Sequence, residues 1–190
     1  MKQDLSAPGL MACVRHYYPA GIPAGDPRYE GSAEIQRLRQ LLHASAIKPG
    51  AWQDFVQKVE DAFSNCDVSD SLPRLYRPSY RCEVALPGAE PCPDRSRGDA
   101  VVCMLSVLAP VYAVYAHHWK DDRAERESWT RFPPLPPAFQ AHEAQLASLI
   151  ESTFGFMRLS TEVLFTPVPG LQPLRGQPLH RSPWLEELLF

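Results

Sequence analysis

An uncharged, apolar run over residues 100–116 constrains this chain more than any other stretch. Apolar residues occupy both of its alternating faces, which is typical of strands buried on both sides at the middle of a sheet. Pro110 cannot donate to a β-ladder, so it marks a bend or a break within the run. The pattern therefore predicts two central strands, over about 100–108 and 111–118. A helix over the second segment is the alternative, and alternating Val and Tyr favour the strand.

The same run is at the lower length limit for a helix that spans a membrane. Its Ser106, Pro110, Tyr112 and Tyr115 and its many β-branched residues favour buried strands over a membrane span. The N-terminus has no long apolar core after a basic start, which predicts that there is no signal peptide. We therefore expect a cytoplasmic protein without a membrane partner.

Five cysteines are widely spaced along the chain and form no CxxC pair. A structural zinc site requires close ligand pairs, and this sequence contains none. The odd number and the spacing predict reduced thiols that are mostly buried. These cysteines are Cys13, Cys66, Cys82, Cys92 and Cys103.

Length and charge limit the classes of protein that fit this chain. A length of 190 residues is typical of one domain. The net charge of −3 argues against a nucleic-acid partner, which would require a basic face. The acidic surplus lies mostly within residues 51–130, where a cationic partner could use it. The 20 prolines are scattered, which indicates many fixed loops instead of a disordered tail.

Hydrophobic periodicity predicts several helices. Ser32 is a candidate N-cap for a helix that ends near Lys48, because a residue before proline disfavours helical geometry. AWQDFVQKVEDAF sets apolar residues at helical spacing and is the clearest helix. A further helix is predicted over about 138–154, with Gly155 as its terminator. SPWLEELLF is typical of a short helix, with Ser182 as its cap and Pro183 in its first turn.

The remaining segments are interpreted as strands and loops. LMACVRHYY, residues 10–18, is a candidate first strand, and RCEVALP is a further strand. Loops are predicted over residues 64–79 and 87–99, and a charged connector or helical turn over 120–131. Within residues 156–174, VLFTPV (163–168) fits either an edge strand, ended by Pro167 and Pro169, or a helical turn before a loop. Together these segments predict a single α+β domain over residues 1–190, with helices packed on a central, mainly antiparallel sheet of four to five strands.

The chain offers no convincing catalytic, cofactor or metal site. His117 and His118 point to opposite faces of a regular strand and cannot both ligate one metal. The pair His142 and Glu143 lacks the second histidine of a zinc-protease helix. GxSxG, P-loop and GxGxxG patterns are absent from the sequence. We therefore predict no catalytic residues, no cofactor and no bound metal.

The end of the second apolar strand is the candidate site. In the simplest interpretation Trp119 covers the sheet edge, while His118 and Asp122 face solvent. The alternative is a partner-binding patch, because tryptophan is enriched at interface hot spots and acidic residues surround it here. The residues of this predicted patch are Trp119, Asp121, Asp122, Glu125 and Glu127.

Three stretches, PSYRCEVALPG (78–88), SVLAPVYAVYAHHW (106–119) and ESTFGFMRLSTEVLFTPVPGL (151–171), cover about a quarter of the chain. Their layout resembles that of immunity proteins encoded beside secreted polymorphic toxins of bacteria, including toxins of type VI secretion. The resemblance implies a cytoplasmic, non-enzymatic protein that binds and neutralises a cognate toxin encoded next door.

Two other functions remain open for this sequence. One is an adaptor or chaperone that loads a secreted effector. The other is a small enzyme of unrecognised type, which predicts a deep pocket with converging polar groups and shifted pKa values. The immunity interpretation predicts a broad acidic surface instead.

Overall fold

A computed structural model describes residues 3–44, 47–86, 97–121, 126–172 and 182–190, without the side chains of residues 97, 120, 121, 126 and 127. Five strands follow one another across an antiparallel sheet in chain order, and a two-residue sixth strand pairs in parallel with the start of the fourth. The described part of the chain is therefore α+β with a mainly antiparallel sheet, as predicted. The strands are β1 (Asp67–Ser71), β2 (Ser79–Ala85), β3 (Arg97–Ser106), β4 (Val111–Asp121), β5 (Arg126–Arg131) and β6 (Met157–Arg158).

The predicted central pair of strands is confirmed by β3 and β4. Every residue over 101–109 and 111–116 is buried, so both faces of this pair are covered. Both strands are longer than their apolar parts, because polar residues extend the hairpin to pairs such as Gly98 with Trp119. Pro110 lies in the connection between the strands, where no ladder bond is lost.

Helices lie on both sides of the sheet. On one side α4 and α5 pack together and against the strands, with Trp52 against Tyr80 at 4.9 Å between ring centroids. On the other side α1 contacts α3 and α7, and the Tyr18 hydroxyl donates to the Leu188 carbonyl over 2.9 Å. The helices are α1 (Ala7–Tyr17), α2 (Pro27–Gly31), α3 (Ala33–Ala44), α4 (Pro49–Ala62), α5 (Pro137–Phe154), α6 (Thr161–Leu164) and α7 (Leu185–Leu189).

Alternate residues of each strand belong to the two faces of the sheet. The α5 face carries Tyr80, Cys82 and Val84 of β2. The α7 face carries the residues between them, and Ser79 on that face donates its hydroxyl to the carbonyl of Phe190, directly after α7, over 2.8 Å. A single buried apolar cluster includes residues from both sides and from the sheet itself.

The predicted first strand over 10–18 is wrong, because these residues form most of α1. Ser6 caps the helix by accepting a hydrogen bond from the Gly9 N–H, and a proline stands in the first turn. Leu10 and Val14 are four residues apart and both fully buried, which places one helical stripe on the core. Apolar content alone did not separate a short helix from a strand here.

Two edge strands were not predicted. β1 lies within the expected loop over 64–79, and β5 lies within the expected charged connector over 120–131. Both are polar, because an edge strand that is largely exposed needs no apolar alternation and is held by backbone pairing. The predicted loop over 87–99 lies outside the described residues up to 96, and its end belongs to β3.

The C-terminal third follows the prediction with shifted boundaries. α5 ends at Gly155, which has a φ of 66° and the left-handed geometry expected of a helix terminator. Of the two alternatives for VLFTPV (163–168), the structure has the helical turn, since the short helix α6 ends within this segment, and the strand β6 lies before it. The predicted cap at Ser182 is wrong: α7 starts after Trp184, whose N–H donates to the Glu187 carboxylate over 2.8 Å. In the ranges listed above, no helix has the length and apolarity to cross a bilayer.

The helix ends can be tested by alanine substitutions at Gly50 and Gly155, because an added Cβ meets open space at both positions. Gly155→Ala should destabilise the protein by about 1 kcal/mol, since Gly155, unlike Gly50, has a positive φ. Gly50→Ala, in the first turn of α4, should stabilise it by about 0.5 kcal/mol through helix propensity. Urea unfolding of both variants measures these changes, and shifts of the same sign would contradict the assigned helix ends.

Candidate partner-binding surface

Small residues of β3 lie at the centre of the α7 face. Gly98, Ala100 and Val102 are all buried there. The register sets Glu83 of β2 and Tyr115 of β4 on either side of Val102, within one row across the sheet. The larger side chains of β2 and β4 therefore stand on either side of β3, whose own side chains on this face are small.

Trp119 lies directly on Gly98. A Cβ added at Gly98 would stand 2.4 Å from Cζ2 of Trp119, so any larger residue there would displace the indole. His117 stacks beside Trp119 with 5.6 Å between ring centroids and 21° between ring planes. Its Nδ1 is 3.3 Å from the Thr130 hydroxyl oxygen of β5. The position of this aromatic pair is therefore fixed by packing and by one cross-strand polar contact.

Charged groups from β2 and α7 surround Tyr115. Arg81 donates to the Glu83 carboxylate over 2.7 Å, and the two side chains are 33% and 20% exposed. Burial raises the pKa of Tyr115, whereas the nearby Arg81 guanidinium opposes that rise and Glu83 and Glu186 add to it. Tyr115 therefore stays a neutral phenol at physiological pH.

The imidazole of His117 is shifted in the opposite direction. Burial lowers the pKa of His117 from its usual 6.5, with Glu83 raising it in part and Arg81 and His118 lowering it further. His117 is therefore mainly neutral at pH 7.

These side chains form one set, which we call the aromatic–acidic patch: Arg81, Glu83, Tyr115, His117, Trp119 and Glu186. With one guanidinium and two carboxylates, the six side chains together carry a net negative charge.

Aromatic rings extend the patch toward the C-terminus. Phe132 contacts Tyr115 at 5.4 Å and Phe165 at 5.0 Å between ring centroids. Phe165 in turn meets Trp184 at 4.8 Å in an edge-to-face arrangement. Phe132, Phe165 and Trp184 are all half-buried. The patch is thus continuous with an aromatic surface that leads to the start of α7.

Of the residues predicted for a partner patch, Trp119 belongs to this surface. The backbone of Asp121 pairs with Arg126, and that of Glu127 pairs with Lys120, so basic residues stand opposite both acids in the ladder. Asp122 and Glu125 lie outside the described residues. The acidic groups of the patch are therefore Glu83 and Glu186, which the sequence prediction missed.

The two histidines point to opposite faces, as expected. His118 lies on the α5 face, donates from Nδ1 to the Asp99 carboxylate over 2.7 Å and stacks on Trp129 at 5.3 Å. Its side chain is only 15% exposed, so the expectation that it faces solvent is wrong. The cause is β5, which adds Trp129 directly opposite His118.

The other polar candidates have structural contacts. Asp70 accepts a hydrogen bond from Nε1 of Trp52 over 2.7 Å, and Glu143 forms an ion pair with Arg158. Within the described part of the chain, no three His, Cys, Asp or Glu side chains are grouped so that they could hold a metal ion.

The described cysteines are free thiols at four positions. Cys82 and Cys103 are buried and directly opposite each other on β2 and β3. Their mutual hydrogen bond, together with burial, raises the pKa of Cys82 far above the usual range. Cys13 and Cys66 are half-buried, and burial raises the pKa of each thiol. Low reactivity is expected of such thiols. Cys92 lies outside the described residues.

No protein-family model matches this chain, and no curated protein or solved structure matches it either. A functional proposal therefore depends on the chemistry of the described residues.

The contact between Gly98 and Trp119 can be tested by a double-mutant cycle. Gly98→Ala should cost about 2 kcal/mol of stability, because the added methyl group displaces the indole. The same change should cost much less in a Trp119→Ala background, which gives a coupling free energy of about 1 kcal/mol or more. Gly25→Ala is the control, since a Cβ there meets no atom within 4 Å. Additive free energies of unfolding would show that the two residues are not in contact.

The titration of His117 is a second test, followed through its imidazole resonances by NMR. Its midpoint should lie below 6.5, and Glu83→Gln should lower it further because a carboxylate that favours the charged ring is lost. Since the folded-state pKa is depressed, the unfolded chain binds this proton more readily. The contribution of the neutral His117 imidazole to the free energy of unfolding is therefore present above about pH 6.5 and lost as the pH falls toward the folded-state pKa. His117→Gln should remove that dependence, and a midpoint above 6.5 would contradict the described burial.

Proposed function

We propose that this chain is a non-enzymatic binding protein, an immunity protein that neutralises a cognate bacterial toxin by binding it through the aromatic–acidic patch. The observation that carries the proposal is the composition and placement of that patch. Trp, Tyr and Arg are the residue types most enriched among interface hot spots. Here Arg81 and Trp119 lie on one sheet face with the buried Tyr115, beside two carboxylates, and Arg81, His117 and Trp119 are half-buried, so that a partner could bury these three further.

Preorganisation favours tight binding by these side chains. Trp119 is held on Gly98 and stacked with His117, and Arg81 is held by Glu83. Side chains that are already ordered lose little conformational entropy when a partner covers them. A half-buried aromatic surface of this kind can therefore contribute more affinity than its modest area implies.

Charge favours a basic partner. Glu83 and Glu186 give the patch two carboxylates, and the whole chain has a net charge of −3. A toxin that acts on nucleic acid presents basic side chains, because it must contact phosphates. An Arg or Lys of such a toxin would meet both carboxylates and the faces of the aromatic rings, through ion pairing and cation–π contact. Covering those side chains would also block the surface that the toxin needs for its substrate.

The resemblance to immunity proteins supports the same proposal. An adaptor that loads effectors would use a comparable surface for several partners, whereas an immunity protein binds one toxin. Co-expression with the product of the adjacent open reading frame separates them: an immunity protein rescues growth from that product and forms a stoichiometric complex with it. An adaptor binds the product without relieving its toxicity.

An enzyme is the second candidate, and one observation favours it. A neutral imidazole, a carboxylate, a phenol and a guanidinium converge at the patch, and such a set can transfer protons and stabilise negative charge. His117→Gln distinguishes the two functions, since Gln keeps the approximate size and polarity of the ring but cannot shuttle a proton. A catalytic role predicts a loss of turnover by about a hundredfold or more with partner affinity retained.

Charge removal at the patch tests the proposed interface. The double variant Glu83→Gln, Glu186→Gln should slow association with the adjacent gene product by about tenfold at low salt. The difference should shrink as salt is raised, because the lost attraction is screened. Glu60→Gln is the matched control, an exposed glutamate on α4. Stopped-flow or surface-plasmon measurements give the rates, and equal rates for the two variants would exclude the patch as the interface.

A further inference from the structure

β1 is an edge strand whose outward backbone groups can be assigned. The Leu86 N–H donates to the Asp99 carbonyl over 2.8 Å, and the Val107 N–H donates to the Pro78 carbonyl over 2.9 Å. In an antiparallel pair only every second residue directs its N–H and C=O toward a given neighbour. Even-numbered residues of β2 therefore face β3, and odd-numbered residues face β1.

The register then decides which groups of β1 point away from the sheet. Ser69 and Ser71 stand opposite Glu83 and Arg81, so their backbone groups are bonded to β2. Val68 and Asp70 are the alternate positions, and their N–H and C=O groups point outward. Among the described strands, β1 pairs with β2 alone. Two consecutive outward positions thus offer a ladder to an incoming strand.

β1 is short and carries two aspartates, which protect it from pairing with an acidic strand but not with a basic one. Other devices that protect natural edges are Pro, Lys and a bulge. The strand DVSDS contains neither residue, and its five pairs with β2 are consecutive, without a bulge. Four of its five residues are exposed, and Leu72, directly after it, is 62% exposed. The edge is therefore open on its outer side and is followed by an accessible apolar side chain.

Charge selects the occupant. Residues 64–73 contain two aspartates and no Lys or Arg. A second copy paired antiparallel on this edge would align four carboxylates along one short ladder, which is unfavourable. A basic strand would place its cations beside Asp67 and Asp70, of which Asp70 is held at the edge by Trp52.

We propose that β1 accepts an extended, basic segment of another protein as an added strand, with Lys or Arg on both faces of that strand, beside Asp67 and Asp70, and an apolar residue near Leu72. Strand addition of this kind derives affinity from backbone hydrogen bonds, and specificity from alternate side chains. The site uses backbone groups of β1, whereas the aromatic–acidic patch consists of side chains of β2, β4 and α7, and the proposal does not depend on the function proposed for that patch.

The test uses a capped peptide of Lys and Val, about six residues long, with Lys at positions three apart so that cations project to both faces, and its Glu and Val counterpart as a control. Addition of the basic peptide should protect the amides of Val68 and Asp70 from hydrogen exchange at least tenfold, whereas Ser69, which is already paired, should not change. The acidic peptide should protect neither amide.

Two further changes isolate the backbone contribution. Val68→Pro removes one outward N–H and keeps the ladder to β2, because proline is tolerated where its nitrogen faces solvent. This variant should bind the basic peptide at least tenfold more weakly than Val68→Thr, which retains the N–H. A peptide methylated on alternate amide nitrogens should also lose binding to the unmodified protein, which tests the ladder without altering the fold.

Several results would overturn the proposal. These are the absence of basic-peptide binding to the full chain, equal binding of the two peptides, or protection of Ser69 in place of Val68 and Asp70. Dimerisation through β1, shown by sedimentation of the chain alone and lost in Val68→Pro, would assign the edge to a second copy instead. Trp119→Ala, on β4 and separated from β1 by β2 and β3, should leave peptide binding unchanged, so failure here is distinguishable from failure of the proposed function.

Discussion

The antiparallel pairing of β3 with β4 is the constraint on which the rest of the structure depends. It buries both faces of two apolar strands, so helices or side chains must cover the sheet on both sides. The same register sets Gly98 beneath Trp119 and directs His117 and His118 to opposite faces. A shift by one residue would exchange these faces and expose the core.

The two faces are covered in different ways, and the candidate site results from that difference. On the α5 face, two long helices supply large side chains such as Trp52 and Phe139. On the α7 face, Gly98 is covered by the Trp119 side chain of the neighbouring strand. Trp119 and His117 stack on each other, and both side chains are half-buried. Covering a sheet with such residues leaves a surface that is ordered and yet chemically varied.

Much of the fold could be predicted, because its core elements carry strong periodic signals. The residues of α4, the two central strands and the Gly155 terminator are each identified by patterns within a single segment. β1, β5 and α1 were missed or misassigned, since their type depends on what they pair with or pack against. The patch was predicted only at Trp119. Arg81 with Glu83 and Tyr115 with His117 are pairs at strand spacing, but the register across β3 is needed to bring them together.

The two proposed surfaces differ in what they could recognise. The edge of β1 offers backbone groups, which pair with almost any extended chain, and its two aspartates select only for positive charge. The aromatic–acidic patch offers side chains in fixed positions, and discrimination between partners requires such fixed, partly desolvated groups. A partner that used both surfaces would gain affinity from the edge and specificity from the patch. Because Glu83 and Arg81 of the patch stand directly opposite Ser69 and Ser71 of β1, the two contacts are neighbours on the sheet, and the spacing between them would itself select the partner.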